Sequence, residues 1–326
     1  MTFEKRPTAE YNNNSAVGAP GPSARKGPSF SGVTISNPDK ELWPADPPFA
    51  AVTKLALAQY YWRAAAKLLP HIAGRPLSIV RAPDGIDGQK FFQRHASAGT
   101  GHALRLVPVA GEKKPLVAID DEAGLMALAQ SAVLEIHPWG SKPNEPDVPA
   151  RLVFDLDPAP EIEFAKVIEA AKDVRARLAA LGFVPFVKTT GGKGLHVVVA
   201  IKGTRARPVT WPDAKQFARE VCESLQRSEP ARYTTTMSKR VRTGKIFLDY
   251  LRNDRMATAV APWSPRARPH APIAVPIPWS ALKKGLDPAQ FTIPRAASLL
   301  RKPDPWRSID DTALALNDAW AILKRM

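Results

Sequence analysis

Apolar residues recur at helical spacing between Thr53 and Leu69, at Leu55, Ala58, Tyr61, Trp62, Ala65, Leu68 and Leu69. That period predicts an amphipathic helix. A second helix is predicted over 161–181, where Phe164, Val167, Ile168, Ala171, Val174, Leu178 and Leu181 share one stripe and Gly182 follows as a stop. Further helices are predicted at 212–226 and, short, at 311–324. Between these segments the period falls to two. Along Arg151–Asp157, Leu152, Phe154 and Leu156 take one face while Val153, Asp155 and Asp157 take the other. Strands are also predicted at 77–80, 133–137, 184–189, 195–201 and 245–251. The turn Gly191-Gly192-Lys193-Gly194 joins two of them. Strands and helices mix without strict βαβ alternation, so the expected fold class is α+β with a mixed sheet.

Composition narrows the picture. A chain of 326 residues suits two domains or one large one. Its 33 prolines gather at 44–48, 138–149 and 262–278, which marks loops between compact elements. Residues 1–31 are rich in Asn, Pro, Gly, Ser and basic side chains and lack apolar periodicity. They are expected to form a disordered basic tail, either a bare terminus or a weak nucleic-acid contact. No segment has the length of apolar run that a membrane helix needs, and no secretory h-region is present. The single cysteine, Cys222, excludes an internal disulfide and a cysteine-cluster metal site, and suits a reducing cytoplasm. Forty-six Lys and Arg against 31 Asp and Glu leave a net charge of +15. A polyanionic partner is implied, nucleic acid being the commonest.

Asp155 and Asp157, two residues apart on a strand, project their carboxylates from the same face. Such a pair is either a polar strand end meeting solvent or a site for a divalent cation that relieves the repulsion. Hard oxygen donors suit Mg²⁺ or Mn²⁺. Asp249 sits in the apolar strand 245–251, where a carboxylate needs a partner, either an arginine or a metal. Three carboxylates from two strands are a ligand set for two-metal phosphoryl transfer. Thr190-Gly191-Gly192-Lys193-Gly194 is either a tight hairpin turn or a phosphate cradle, with bare backbone amides, a lysine and a hydroxyl. His196 alternates onto the side of that site, or is a satisfied structural histidine. Arg240, Arg242, Lys245, Arg252, Arg255, Arg266 and Arg268 crowd around Asp249, which makes sense when a triphosphate lies between the two charge types. Phe91 and Phe92 stand beside Lys90 and Arg94, so one of the pair is expected to face outward, where it can stack a base.

Taken in order, NPDK (37–40), VTK (52–54), LPHIAGRPLSIVRAPDGIDGQKFFQRH (69–95), EIHPWGS (135–141), FDLDP (154–158), TTGGKGLHVVV (189–199), RTGKIFLDY (242–250) and APWSPRAR (261–268) resemble the polymerase domain of bacterial ligase D. That domain is a branch of the archaeo-eukaryotic primase superfamily, and the resemblance runs from about Val33 to Trp306. It implies a primase-like catalytic core of two packed sheet and helix modules. The domain is expected over 32–306, with 307–326 a C-terminal helix packed on it. The implied activity is DNA-directed nucleotidyl transfer at gaps and ends during double-strand break repair by non-homologous end joining. By the resemblance, Asp155, Asp157 and Asp249 bind two Mn²⁺ or Mg²⁺ ions. Thr190, Lys193, Arg242, Arg266 and Arg268 hold the phosphates of an NTP or dNTP, and His137 contacts the nucleotide, with His196 grouped beside it. Asn37, Lys40 and Lys54 are implied to grip a DNA 5′-phosphate, and Phe91 and Phe92 to stack on the template.

Thr190 stands where many relatives have Ser, and Ala267 where Gly is common; both changes keep the chemistry. The segment between Lys40 and Lys54 is longer than usual, which leaves the placement of Lys54 open. The family tendency is toward ribonucleotides and Mn²⁺. No K-x-D-G ligase motif and no His-rich phosphoesterase segment is present. A separate DNA ligase and a Ku-like end binder are therefore expected partners, in a bacterial cytoplasm at the nucleoid. An initiating Met before a polar tail favours a stand-alone polymerase over a piece of a larger ligase. The competing readings are a primase for replication or damage bypass, a non-catalytic end-binding module, and a two-metal nuclease.

Overall fold

The computed structural model describes residues 27–96 and 103–325. Two short hairpins, β1 (Ser29–Phe30) with β2 (Val33–Thr34) and β3 (Glu41–Trp43) with β4 (Val52–Thr53), lead into helix α1 (Lys54–Ile72). Of the expected tail, residues 1–26 lie outside the described residues. Its last residues are already paired, because Ser29 and Phe30 face Thr34 and Val33 across the first hairpin. Thr53 begins α1 by accepting the Ala56 amide with its hydroxyl. The buried stripe of α1 is Leu57, Ala58, Tyr60, Tyr61, Ala64, Ala65 and Leu68; Leu55, Trp62 and Leu69 stay half-buried. The tyrosines rotate the stripe, since their hydroxyls donate to the buried carbonyls of Trp263 (2.6 Å) and Val133 (3.0 Å).

The first sheet holds β5 (Leu77–Arg81), β6 (Phe91–Gln93), β7 (Arg105–Val107), β8 (Leu116–Ala118) and, after helix α2 (Glu122–Gln130), β9 (Val133–Pro138). A small hairpin, β10 (Ser141–Lys142) with β11 (Glu145–Pro149), connects it to the second sheet. That sheet begins at β12 (Arg151–Pro158) and continues through helix α3 (Phe164–Ala180), β13 (Phe186–Thr189), β14 (Leu195–Lys202), helix α4 (Trp211–Ser228), β15 (Tyr233–Thr234) and β16 (Ile246–Asp249). Strand β17 (Pro276–Ile277) forms one edge. The order is β15-β16-β12-β14-β13-β17. After α5 (Ala296–Leu300), strand β18 (Leu314–Ala315) runs parallel to the end of β14, and helix α6 (Leu316–Leu323) closes the described chain.

The mixed α+β expectation holds, and one continuous core joins both sheets to their helices. Leu152, Phe154 and Leu156 point toward that core, as do Leu195, Val197, Val199 and Ile201 of β14 and Ile246 and Leu248 of β16. The opposite face of the same strands carries Val153, Asp155, Asp157, His196, Val198 and Asp249. Trp306 and Ile309 cover only the Val198 and Ala200 end of it. The Asp155 and Asp157 end of this face opens into a cleft, and the site lies there. The predicted strand 245–251 ends at Asp249, where the chain turns through a short 3-10 helix at Leu251–Asn253. The C-terminal helix likewise starts later than the apolar pattern indicates, after the 3-10 turn Asp310–Thr312 and β18. No helix among the described residues is long and apolar enough to cross a membrane.

The C-terminal segment is bound into this core. Trp306 is fully buried, donates its indole N–H to the Val187 carbonyl (3.0 Å) and packs edge-on to His71 and Phe186. Arg151 of β12 pairs with Asp310 through two bonds of 2.9 Å. Trp306→Ala is therefore expected to lower stability by about 3–5 kcal/mol in urea unfolding, as for other buried aromatics. A loss below about 1 kcal/mol would mean that this segment is not part of the core.

Candidate active site

Register places the chemistry. Asp155 of β12 lies opposite His196 of β14 on one side and opposite Asp249 of β16 on the other. His196 in turn lies opposite Lys188 of β13. Lys188, His196, Asp155 and Asp249 thus form one row across four neighbouring strands, all on the face away from Leu152, Phe154 and Leu156. In an antiparallel sheet such cross-strand neighbours stand about 5 Å apart, so like charges in adjacent positions strain the fold unless cations intervene.

Arg252 intervenes. The Asp249 carboxylate accepts the Leu251 amide (2.8 Å) and so helps to turn the chain. Asn253, fully buried, accepts the Val153 amide (2.7 Å) and donates to the carbonyls of Val153 and Tyr250. That turn swings Arg252 back over the row, with Nε 3.2 Å from both Asp155 Oδ2 and Asp249 Oδ2. Asp157 is more exposed and reaches Arg242 Nη1 at 3.2 Å, while the Arg242 guanidinium lies on the Phe247 ring. Among the described residues no three His, Cys, Asp or Glu side chains converge closely enough to hold a metal ion as they stand.

The three carboxylates differ in proton affinity. Burial disfavours the Asp155 anion, but His196 (3.3 Å) and Arg252 outweigh it and hold that carboxyl well below the usual range. Asp157 is pushed up by burial and by the neighbouring Asp155 charge, against Arg242. Asp249 is pushed up by burial and Asp155, against Arg252. Burial and the Lys188 charge push the His196 imidazole down to about 4. Its Nδ1 is buried without a hydrogen-bond partner among the described residues. Lys188 is fully buried and pushed well below its ordinary range by burial and Arg266.

The arrangement fits a divalent cation by its donor chemistry. Carboxylate oxygens are hard ligands, and one cationic group, the Arg252 guanidinium, is already shared by Asp155 and Asp249. Asp155, Asp157 and Asp249 are the residues that would hold it.

Asp155 and Asp157 open onto a cleft of about 380 Å³ that His137, Thr190, Lys193, His196, Arg252, Arg266 and Arg268 also line. Asp249 sits behind Arg252, and Arg242 reaches the cleft through Asp157. The glycine-rich turn joins β13 to β14. Gly191 adopts the left-handed φ of +68°. A Cβ on Gly192 would lie 2.5 Å from Arg268 Nη1, so the absent side chain lets the guanidinium rest on the turn. Thr190 donates its hydroxyl to the Gly194 carbonyl (3.1 Å), and Arg266 donates to the Thr190 carbonyl.

Glu135 organises the far wall. It lies 2.8 Å from His137 Nε2 and 3.0 Å from Arg266 Nε, and accepts the Ala267 amide (2.9 Å). Burial alone would raise its pKa, but His137 and Arg266 hold it down to about 2. Glu135, Lys188 and Asn253 are absent from the sequence-based site, and Arg252 entered it only as one of a basic crowd. A signal existed for two of them. Glu135 is two residues from His137 on a strand, and Lys188 alternates onto the site face of β13.

The remaining predicted residues lie outside the cleft. The amides of Lys54 and Leu55 bond to the carbonyls of Lys40 and Pro38 (2.8 and 2.9 Å), which sets the Asn37–Lys40 turn against the start of α1. Burial and the Lys40 charge push the Lys54 amine down to about 8, and that amine lies 3.5 Å from the Ser36 hydroxyl. Lys40 Nζ is held 2.7 Å from Asp84. The long segment between them folds back on the arginine loop. The Trp43 indole donates to the Arg266 carbonyl (3.1 Å), and His270 stacks on Phe49 and meets Asp46 at 2.8 Å. Phe91 and Phe92 lie on the edge strand β6, separated from the His137 strand by β5. Both face solvent, at 38% and 58% exposure, rather than one of the two.

Glu135 yields a pH prediction. Unfolded, its carboxyl takes up a proton near pH 4.5; folded, it resists until about pH 2. The unfolded state therefore binds the proton first, and the stability Glu135 contributes is lost as pH falls through that window. In urea unfolding the gap between the wild type and Glu135→Gln should be largest at pH 5 and shrink toward pH 2.5. A gap that does not change with pH would remove the assignment.

Residues 53–306 match the family described as the LigD primase-polymerase domain. The chain is 35% identical over 298 residues to the multifunctional non-homologous end joining protein LigD of Pseudomonas aeruginosa, covering 89% of this chain and 34% of that protein. It is 37% identical over 267 residues to the LigD of Mycobacterium tuberculosis H37Rv, covering 79% and 34%. The chain thus spans about a third of the length of the curated relatives it matches. A solved structure, the polymerase domain of Mycobacterium tuberculosis Ligase D in complex with DNA, superposes with a TM-score of 0.76 at 34% identity, covering 86% of this chain and 99% of that one. With the acidic row, the glycine-rich turn and the arginine loop all inside the matched span, the chain belongs to the LigD primase-polymerase domain family.

Proposed function

We propose that this chain is a metal-dependent, template-directed nucleotidyltransferase that fills gaps and extends ends of broken DNA during non-homologous end joining. The observation that carries this is the cleft itself. Two carboxylates of one strand, Asp155 and Asp157, face a Thr190, Lys193, Arg266 and Arg268 grip of the kind a polyphosphate needs, with Asp249 of the adjacent strand behind Arg252. The relatives' names and the DNA held by the solved polymerase domain support the repair context.

An incoming nucleotide lies with its α-phosphate at Asp155 and Asp157 and its outer phosphates along Lys193, Arg266 and Arg268. Asp155, Asp157 and Asp249 would hold two divalent ions, Mn²⁺ or Mg²⁺, which would lower the cost of charge on the attacking and leaving oxygens. Glu135 fixes the His137 ring beside the nucleotide and aims Arg266 inward. Arg252 holds Asp155 in its ionised form, and His196 lies beside it. Arg242 supplies a further phosphate contact from the Asp157 side. Ribonucleotides are the preferred substrate.

Asn37, Lys40 and Lys54 bind the 5′-phosphate across a gap, from the turn that the Lys54 and Leu55 amides fasten to the start of α1. The exposed Phe91 and Phe92 stack on a template base. The polymerase domain covers residues 32–306 with 307–326 packed on it. It works in the bacterial cytoplasm at the nucleoid, with a Ku-like end binder and a DNA ligase.

Primer extension on a gapped duplex, with ribo- and deoxyribonucleotides in Mg²⁺ and in Mn²⁺, tests this. Asp155→Ala with Asp157→Ala is expected to bring extension below detection while DNA binding persists; full activity in that double variant removes the carboxylate assignment. Lys40→Ala with Lys54→Ala should weaken binding to 5′-phosphorylated gaps roughly tenfold or more, since each amine makes a charge-assisted contact. Equal loss on unphosphorylated gaps would reduce the lysines to general backbone charge.

A further inference from the structure

A second hollow, of about 420 Å³, adjoins the glycine-rich turn. It shares two residues with the cleft described above, Lys193 and Arg268, and no others. These two cations are therefore the boundary between the spaces. The character changes across it. The cleft is walled by carboxylates, imidazoles and arginines, whereas the hollow has Ile162, Phe164, Pro269, Pro272 and Pro288 in its wall, with Asp287 and Thr292 as further polar groups.

Phe164 heads α3 on its apolar stripe and stays half-buried, packed against the core on one side and bordering this space on the other. A further wall is preformed. His270 faces the hollow and is held by stacking on Phe49 at 3.9 Å and by Asp46 at 2.8 Å. The volume lies in the range of small-molecule sites, and a mostly apolar lining with a few convergent polar groups is the usual form of such a site.

This inference rests on the nucleotidyl-transfer reading above. With the α-phosphate at Asp155 and Asp157, the terminal phosphate ends at Lys193 and Arg268, on the boundary. A plain triphosphate has nothing to place in an apolar space beyond that point. We propose that the hollow receives an aromatic group carried on the terminal phosphate, so that the enzyme uses nucleoside polyphosphates capped by a ring system, a second nucleoside included, as nucleotide donors. The reaction balances without a further reactant. The primer 3′-oxygen bonds to the α-phosphorus and its proton leaves to solvent. The bond from the α-phosphorus to the bridging oxygen breaks, and the capped pyrophosphate departs with the electron pair.

The test is primer extension by the full chain with ATP, with ATP bearing an aryl ester on the γ-phosphate, and with diadenosine triphosphate. Wild type is compared with Ala289→Trp and Ala289→Glu, since Ala289 is an exposed residue at the hollow's edge, where a large or charged side chain is tolerated by the fold. The expected result is that wild type uses the capped donors within about threefold of ATP in kcat/KM. Both variants should lose about tenfold or more on the capped donors alone, as when a pocket for one substituent is blocked. Rejection of the capped donors by wild type, with ATP used normally, overturns this inference and leaves the transferase reading standing. Equal loss on ATP and capped donors in the variants also overturns it. No extension with any donor overturns both.

Discussion

Two carboxylates on adjacent strands, Asp155 and Asp249, stand directly opposite each other on one sheet face, and their repulsion governs the architecture around them. Such a pair persists only with cations at hand. The structure meets that demand in layers. Arg252 is shared between the two, His196 leans on Asp155 from the other side, and Arg242 engages Asp157. The balance is incomplete, because Asp157 and Asp249 both remain pushed toward protonation while Asp155 is held ionised. An acidic row with unspent negative charge, at the floor of a cleft rimmed by Lys193, Arg266 and Arg268, suits a substrate that brings both phosphates and cations.

The turn that delivers Arg252 shows how the fold maintains this arrangement. Asp249 ends its own strand by accepting the Leu251 amide, and Asn253 fastens the turn to β12 at Val153. One acidic side chain thus serves the site and shapes the backbone that supplies its counter-charge. On the opposite wall Glu135 has the same double duty, orienting His137 and Arg266 while taking the Ala267 amide. The segment before α1 is tied to the same arginine loop through Trp43 and His270. The segment that follows the Asn37–Lys40 turn and the arginine loop therefore pack together, although they are far apart in the chain.

Much of the site was legible because it depends on short-range pattern. The alternation in Arg151–Asp157 placed Asp155 and Asp157 on the face away from Leu152, Phe154 and Leu156, and the register agrees. The glycine-rich turn was placed between two strands, and it joins β13 to β14 at the cleft. Less was visible where side-chain partners decide. The stripe of α1 is rotated because Tyr60 and Tyr61 reach buried carbonyls from distant segments. Phe91 and Phe92 are both exposed because β6 is an edge strand with few neighbours, a fact of sheet order that alternation cannot reveal.

By itself the sequence determined the residue types and their local facing: a carboxylate pair two apart on a strand, bare glycines beside a lysine, arginines gathered around a third carboxylate, and a strongly positive surface. Local periodicity suffices for these, because side-chain direction within one strand follows from backbone geometry alone. Only the tertiary structure decided that Lys188, His196, Asp155 and Asp249 stand in one row, that Arg252 bridges two of them, and that Lys193 and Arg268 divide two hollows. Those facts depend on strand register and on a turn stabilised by Asn253. Both are non-local pairings, chosen by burial and hydrogen bonding across the whole fold, and no window of neighbouring residues encodes them.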